Sequence, residues 1–181
     1  MKKKFGIPYS LCFLCLVFLA AGCGPTLPKG FPKLYPATLT VTQEGQPLAD
    51  AEVLLYNATD SSFRWVVRGR TDQSGQVSLK TVATAQIVRS GAPQGTFKVT
   101  VIKNRADAIP DLSPVASPSE VAAYKAEMTK LKPKIYWYVE EQYIDVGKTP
   151  IEIEIKAKKN VITVDAGKKI ERAVPIPLFG R

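Results

Sequence analysis

From Ala37 to Asp165 the chain keeps returning to one pattern, an apolar residue at every second position. That period commits it to β structure, because residues i, i+2 and i+4 of a strand share a face. Phe97, Val99 and Val101 alternate with Lys98 and Thr100; Ile151, Ile153 and Ile155 alternate with Glu152, Glu154 and Lys156. Leu39 and Val41 alternate with Thr38, Thr40 and Thr42, and Val53 and Leu55 with Glu52, Leu54 and Tyr56. Further strands are predicted over 63–70, 77–79, 86–88, 135–139 and 161–165, separated by turn sequences such as Glu44-Gly45-Gln46-Pro47, Asp72-Gln73-Ser74-Gly75 and Lys158-Lys159-Asn160. The fold class expected is mainly β, a single antiparallel β-sandwich of about seven strands.

One segment breaks the pattern. Ser117-Pro118-Ser119-Glu120 is a capping box with proline at the first helical position, and Val121, Tyr124, Met128 and Leu131 then recur at intervals of three and four until Lys132-Pro133. A helical insertion over 118–131 is predicted, its apolar stripe packed on the sandwich.

The first 23 residues have another purpose. Lys2, Lys3 and Lys4 precede an apolar run from Leu11 to Ala21, and Leu19-Ala20-Ala21-Gly22-Cys23 places small residues directly before a cysteine. The run is about half of the roughly 20 residues needed to span a bilayer. The segment resembles the bacterial lipoprotein signal, which implies removal of residues 1–22 and a lipid on Cys23, the chain's link to a membrane. Two or three acyl chains hold a protein on a membrane essentially for good. Gly24, with no acidic residue in its place, points by analogy with lipoprotein sorting to the outer membrane of a Gram-negative-type bacterium.

Residues 23–36 carry four prolines and two glycines and are expected to form a tether that lifts the domain, residues 37–165, off the membrane. Residues 166–181, basic and with prolines at 175 and 177, are expected to be a loosely held tail. After cleavage 159 residues remain, with a net charge of about +6. Cys12 and Cys15 leave with the signal, so the core has to hold the fold without disulfides.

Three motifs in order carry a second resemblance. Gly45-Gln46-Pro47-Leu48-Ala49-Asp50-Ala51-Glu52-Val53, Thr71-Asp72-Gln73-Ser74-Gly75-Gln76-Val77-Ser78-Leu79 and Gly95-Thr96-Phe97-Lys98-Val99-Thr100-Val101 are similar to the successive signatures of carboxypeptidase regulatory-like domains. That likeness implies a transthyretin-like (prealbumin-like) sandwich without catalytic residues of its own, serving in adhesion, carbohydrate binding or stabilisation.

The composition narrows the chemistry. The chain has no histidine, which excludes histidine general bases and nucleophile pairs built on histidine, and no cysteine is left for ordinary zinc sites. No metal or other cofactor is expected. Asp72-Gln73-Ser74-Gly75 offers at most two side chains to calcium, which takes six or more oxygens. Glu140 and Glu141, neighbours on a strand, would face opposite ways, whereas a glycosidase pair must flank one bond. Cations are scattered, with neither a basic stripe nor a reading module for nucleic acid.

What remains is a binding surface. Ile135-Tyr136-Trp137-Tyr138-Val139 puts Tyr136 and Tyr138 on one strand face and Trp137 on the other, with Tyr143 shortly after. The three tyrosines are the candidate ligand or partner surface, an aromatic platform for sugar or protein, or else the cover of a strand edge. The expected function is a non-catalytic envelope lipoprotein that binds or braces a neighbouring envelope protein or polymer. The alternatives are a carbohydrate-binding module with exposed aromatics and an accessory domain of an envelope enzyme system.

Overall fold

The structure is a computed structural model that describes residues 26–176. The signal segment, Cys23 and residues 177–181 lie outside the described residues. Strands in chain order are β1 (Leu34–Tyr35), β2 (Ala37–Gln43), β3 (Gln46–Pro47), β4 (Glu52–Asn57), β5 (Val66–Arg70), β6 (Gln76–Ser78), β7 (Lys80–Thr84) and β8 (Ile87–Ser90). They continue with β9 (Ala92–Pro93), β10 (Gly95–Ile102), β11 (Asn104–Ala106), β12 (Lys134–Trp137), β13 (Glu152–Ile155), β14 (Asn160–Asp165) and β15 (Arg172–Pro175). Two helices, α1 (Pro118–Leu131) and α2 (Glu141–Ile144), flank β12.

The fold is a mainly β sandwich. One layer is a six-stranded sheet in the order β13-β10-β4-β5-β7-β8, antiparallel throughout. The other is built on β2, which pairs with β14, β3 and β6. The alternating apolar positions meet between them: Leu39 and Val41 of β2, Val77 of β6 and Val164 of β14 pack with Val53, Leu55, Val67, Phe97, Val99, Val101, Ile153 and Ile155. Each such side chain, fully buried, contributes about 1.5–3 kcal/mol. Phe97 is the largest of them, and Phe63 meets it edge-on at 5.8 Å between centroids.

Turn chemistry joins the layers as the sequence predicts. Asp72 Oδ1 accepts hydrogen bonds from the Ser74 amide (2.9 Å) and hydroxyl (2.7 Å) and from the Gln76 amide (2.9 Å), which holds its carboxyl below the ordinary range. Gly75 follows at φ +73°, where a Cβ would stand 2.6 Å from the Val41 carbonyl oxygen, so both the dihedral and the space demand glycine. The predicted strand at 77–79 divides: β6 joins β2, and after Leu79 the chain crosses to the other sheet as β7.

Four expectations are corrected. β2 and β14 pair in parallel, not antiparallel. They open and close the sandwich, so the whole chain between them serves as the crossover a parallel pair requires. Residues 23–36 are not a free tether over their described part: Phe31 packs edge-on against Trp65 at 5.1 Å, Arg64 donates to the Lys29 carbonyl at 2.8 Å, and β1 pairs with β9. Nor is 166–181 a loose tail as far as it is described. Ala166 is fully buried, and β15 adds to β12 as the edge of a three-stranded sheet, β11-β12-β15. The helix α1 has the capping box, with the Ser117 amide donating to Glu120 Oε2 at 2.7 Å. Of its stripe, however, only Met128 is buried, outside the main core, and Leu131 is exposed. Val121 and Tyr124 are half-buried, so the stripe touches the rest of the protein without being enclosed along its length.

Candidate functional site

β12 carries the site. Its register sets Tyr136 opposite Arg105 of β11, and directly opposed side chains on a sheet face are in contact range. The Arg105 guanidinium lies over the Tyr136 ring, 4.8 Å from its centroid. Tyr138 is two residues further on the same face, with its amide bonded to the Lys103 carbonyl at 3.0 Å. Interaction with the Tyr138 hydroxyl is the first cause of a raised Arg105 pKa, with Asp107 and Tyr136 adding to it. Tyr136, Arg105 and Tyr138 therefore form one cluster, with the guanidinium over the first ring and under the influence of the second phenol.

The cluster borders a groove of about 560 Å³ lined by the end of β2, the β3 turn and the strand ends around Lys103. Arg70, Lys103, Arg105 and Lys169 set four cations around it against Glu44 and Asp50. Arg70 faces Asp50 across 3.7 Å, so the excess positive charge falls on the Lys103, Arg105 and Lys169 side. Gln43, buried at the end of β2, fixes this wall: its Nε2 donates to the Tyr138 carbonyl at 2.9 Å and to the Lys168 carbonyl at 3.0 Å. Sequence reasoning passed over Gln43 and the cations, because alternation marks Gln43 only as an inward position and residues 43, 70, 105 and 169 meet only in the folded chain.

Tyr143 does not join the other two tyrosines. It lies on α2, packed on the core beside Gly167, where a Cβ would come within 2.5 Å of its ring and 2.7 Å of its hydroxyl. Partial burial, then the charges of Glu140 and Asp165, raise its pKa above 10.0. The short helix that redirects it was hidden in sequence by its four-residue length; Glu141 in its first turn is held by Lys148 at 2.7 Å and Arg172 at 3.3 Å. Trp137 is half-buried opposite Arg172, while Val139 alone of that strand face enters the core.

A ring must offer a free face to stack on a sugar. Arg105 occupies one face of Tyr136 and the core covers part of Tyr143, which leaves Tyr138 as the ring lining the groove. The groove suits a ligand with negative charge and hydrogen-bond acceptors, an acidic peptide segment or an anionic polymer. Among the described residues no three or more Cys, Asp or Glu side chains gather to hold a metal ion. Comparison with known protein families, with curated proteins and with solved structures finds no match.

Proposed function

We propose that this chain is a lipid-anchored, non-catalytic module of the bacterial envelope, held in the outer membrane through Cys23, that binds or braces a neighbouring envelope component at the Tyr138 groove. The observation that carries the binding role is the Tyr136–Arg105–Tyr138 cluster at the mouth of a groove with excess positive charge. Aromatic and arginine side chains preset in one geometry are the composition of interaction hot spots. The sandwich supplies the rigid support: Gln43 and the β11–β12 pairing fix the cluster before any ligand arrives. With no histidine in the chain, acid–base chemistry would fall to carboxylates, lysine or tyrosine.

Charge favours an acidic protein segment over a neutral sugar, since Lys103, Arg105 and Lys169 line the groove and Tyr138 is the single aromatic ring among its lining residues. Cross-linking in intact cells followed by pull-down tests the reading, with native protein compared to Arg105→Ala and Tyr138→Ala variants. A discrete protein captured by the native form and lost in both variants supports it. Capture of glycan or cell-wall fragments instead assigns the groove to carbohydrate, and identical capture by all three forms rejects the groove as the binding surface.

A further inference from the structure

The segment after the lipid site is pinned to the body of the protein much sooner than its prolines suggest. The Phe31 amide donates to the Pro28 carbonyl at 3.1 Å around Gly30, Arg64 holds the Lys29 carbonyl, and the Phe31 ring rests on Trp65. Only residues 24–27 separate Cys23 from this docked turn. Five Cα–Cα steps span at most about 17 Å when fully extended. A lipid on Cys23 therefore brings one particular face of the domain to the bilayer surface.

That face has the composition of a membrane interface. The Arg64 guanidinium lies over the Trp65 ring at 4.6 Å, and Lys33 over the Tyr35 ring at 5.5 Å. Beside them an open depression of about 530 Å³ is lined by Leu27, Phe31, Pro32, Lys33, Leu34 and Arg89, with Leu27 exposed. Lys29, Lys33, Arg64 and Arg89 thus surround an aromatic pair. Asp60 is the acidic side chain of the adjoining groove, and its carboxylate is engaged by the Ser62 amide (2.9 Å) and hydroxyl (2.6 Å). Cations with tryptophan and exposed apolar residues beside an anchor are the elements that bind anionic headgroups.

The same strands fix the orientation. β4 begins at Glu52, opposite Arg70 and Ile102 at the groove end, and finishes at Asn57, two residues past the Leu55–Val67 pair, as Trp65 is on the neighbouring chain segment. Five residue steps along the strand separate the two ends by roughly 17 Å. We infer that the Trp65 face is a second, electrostatic contact with anionic phospholipid, which seats the domain upright on its own membrane and turns the Tyr138 groove outward. The inference rests on the lipid anchor at Cys23.

Trp65 and Trp137 are the only tryptophans in the chain, one at each end of this axis. The test uses the full mature lipoprotein, purified from membranes and reconstituted into vesicles with brominated acyl chains. Vesicles of phosphatidylethanolamine and phosphatidylglycerol are compared with phosphatidylcholine alone. In the Trp137→Phe protein, Trp65 is expected to be quenched in the anionic vesicles, and the quenching to be relieved by high salt, which shortens the screening length to about 3 Å at 1 M. In the Trp65→Phe protein, Trp137 is expected to be unquenched. Each cation near an anionic surface is worth about fivefold in association, so replacing Lys29, Lys33, Arg64 and Arg89 with Gln returns Trp65 to its emission in phosphatidylcholine. Equal Trp65 emission in both vesicle types, with the protein still floating with them, overturns the membrane-facing surface and leaves the anchor intact. A protein that does not float with either vesicle overturns the anchor, and this inference with it.

Discussion

Two buried threonines make the same chemical change give opposite results. Thr71, in the turn that links β5 to β6, is 3% exposed, and its hydroxyl accepts from the Ala51 amide at 2.8 Å and donates to the Leu48 carbonyl at 2.7 Å. Thr100, in the middle of β10, is 1% exposed, and its hydroxyl oxygen has no hydrogen-bond partner. Thr→Val replaces the hydroxyl with a methyl of nearly the same volume. At position 71 it leaves a buried amide and a buried carbonyl unpaired, each costing about 1–2 kcal/mol at the lower end of the usual penalty, so a loss of about 2–4 kcal/mol is expected. At position 100 it removes a buried, unpaired hydroxyl, and a gain of about 1 kcal/mol is expected. With roughly 2–4 °C per kcal/mol for a protein of this size, Thr71→Val lowers Tm by roughly 5–15 °C and Thr100→Val raises it by roughly 2–4 °C. Thermal unfolding followed by circular dichroism reads both. Equal destabilisation by the two variants would refute the assignment of Thr71 as the bonded member and Thr100 as the unbonded one.

Glycine substitutions separate backbone conformation from space. Gly45, at φ +75° with nothing within 4 Å of an added Cβ, should lose about 1–2 kcal/mol on change to Ala, and Gly75→Ala should lose more because its Cβ meets backbone at Val41; urea titration distinguishes them. Alkali should expose Tyr143: its raised pKa means that the stability it contributes is complete below the ordinary 10.0 and is lost as pH rises toward the folded value. Tyr143→Phe should therefore flatten the alkaline fall of Tm. In acid the sign reverses. The carboxyls of Asp72 and Glu141 are held below 3.8 and 4.5 by Ser74 and by Lys148 respectively, so their contribution is complete above those values and disappears as pH falls beneath them. Asp72→Asn, which keeps an acceptor oxygen but cannot titrate, should reduce the acid sensitivity of Tm measured from pH 6 to pH 3.

How much of this was legible depended on how local the cause is. The period-two runs at 37–43, 52–57 and 95–102 became β2, β4 and β10, because alternation encodes which side of a strand is dry. The capping box at Ser117 and the Asp72–Gly75 turn were legible for the same reason, each being a few adjacent residues that satisfy one another. Partners distant in sequence left no such trace. The parallel pairing of β2 with β14 joins residues more than a hundred apart, and β15 is an edge strand exposed at all four positions, so no alternation marks it. Phe31 in a proline-rich stretch gave no sign of Trp65, its partner across the fold. The tyrosines divide in the same way. Tyr136 and Tyr138 share a face because strand periodicity says so, whereas the single turn of α2 carries Tyr143 to the core.

Both the placement of the domain in the envelope and the membrane-facing Trp65 surface stand on the chemistry of Cys23. Mass spectrometry of the protein purified from bacterial membranes tests it directly. The account predicts a chain that begins at Cys23 and carries a diacylglyceryl thioether together with an acylated amine, with residues 1–22 removed. A mature chain with an unmodified Cys23, or one that retains residues 1–22, would contradict it.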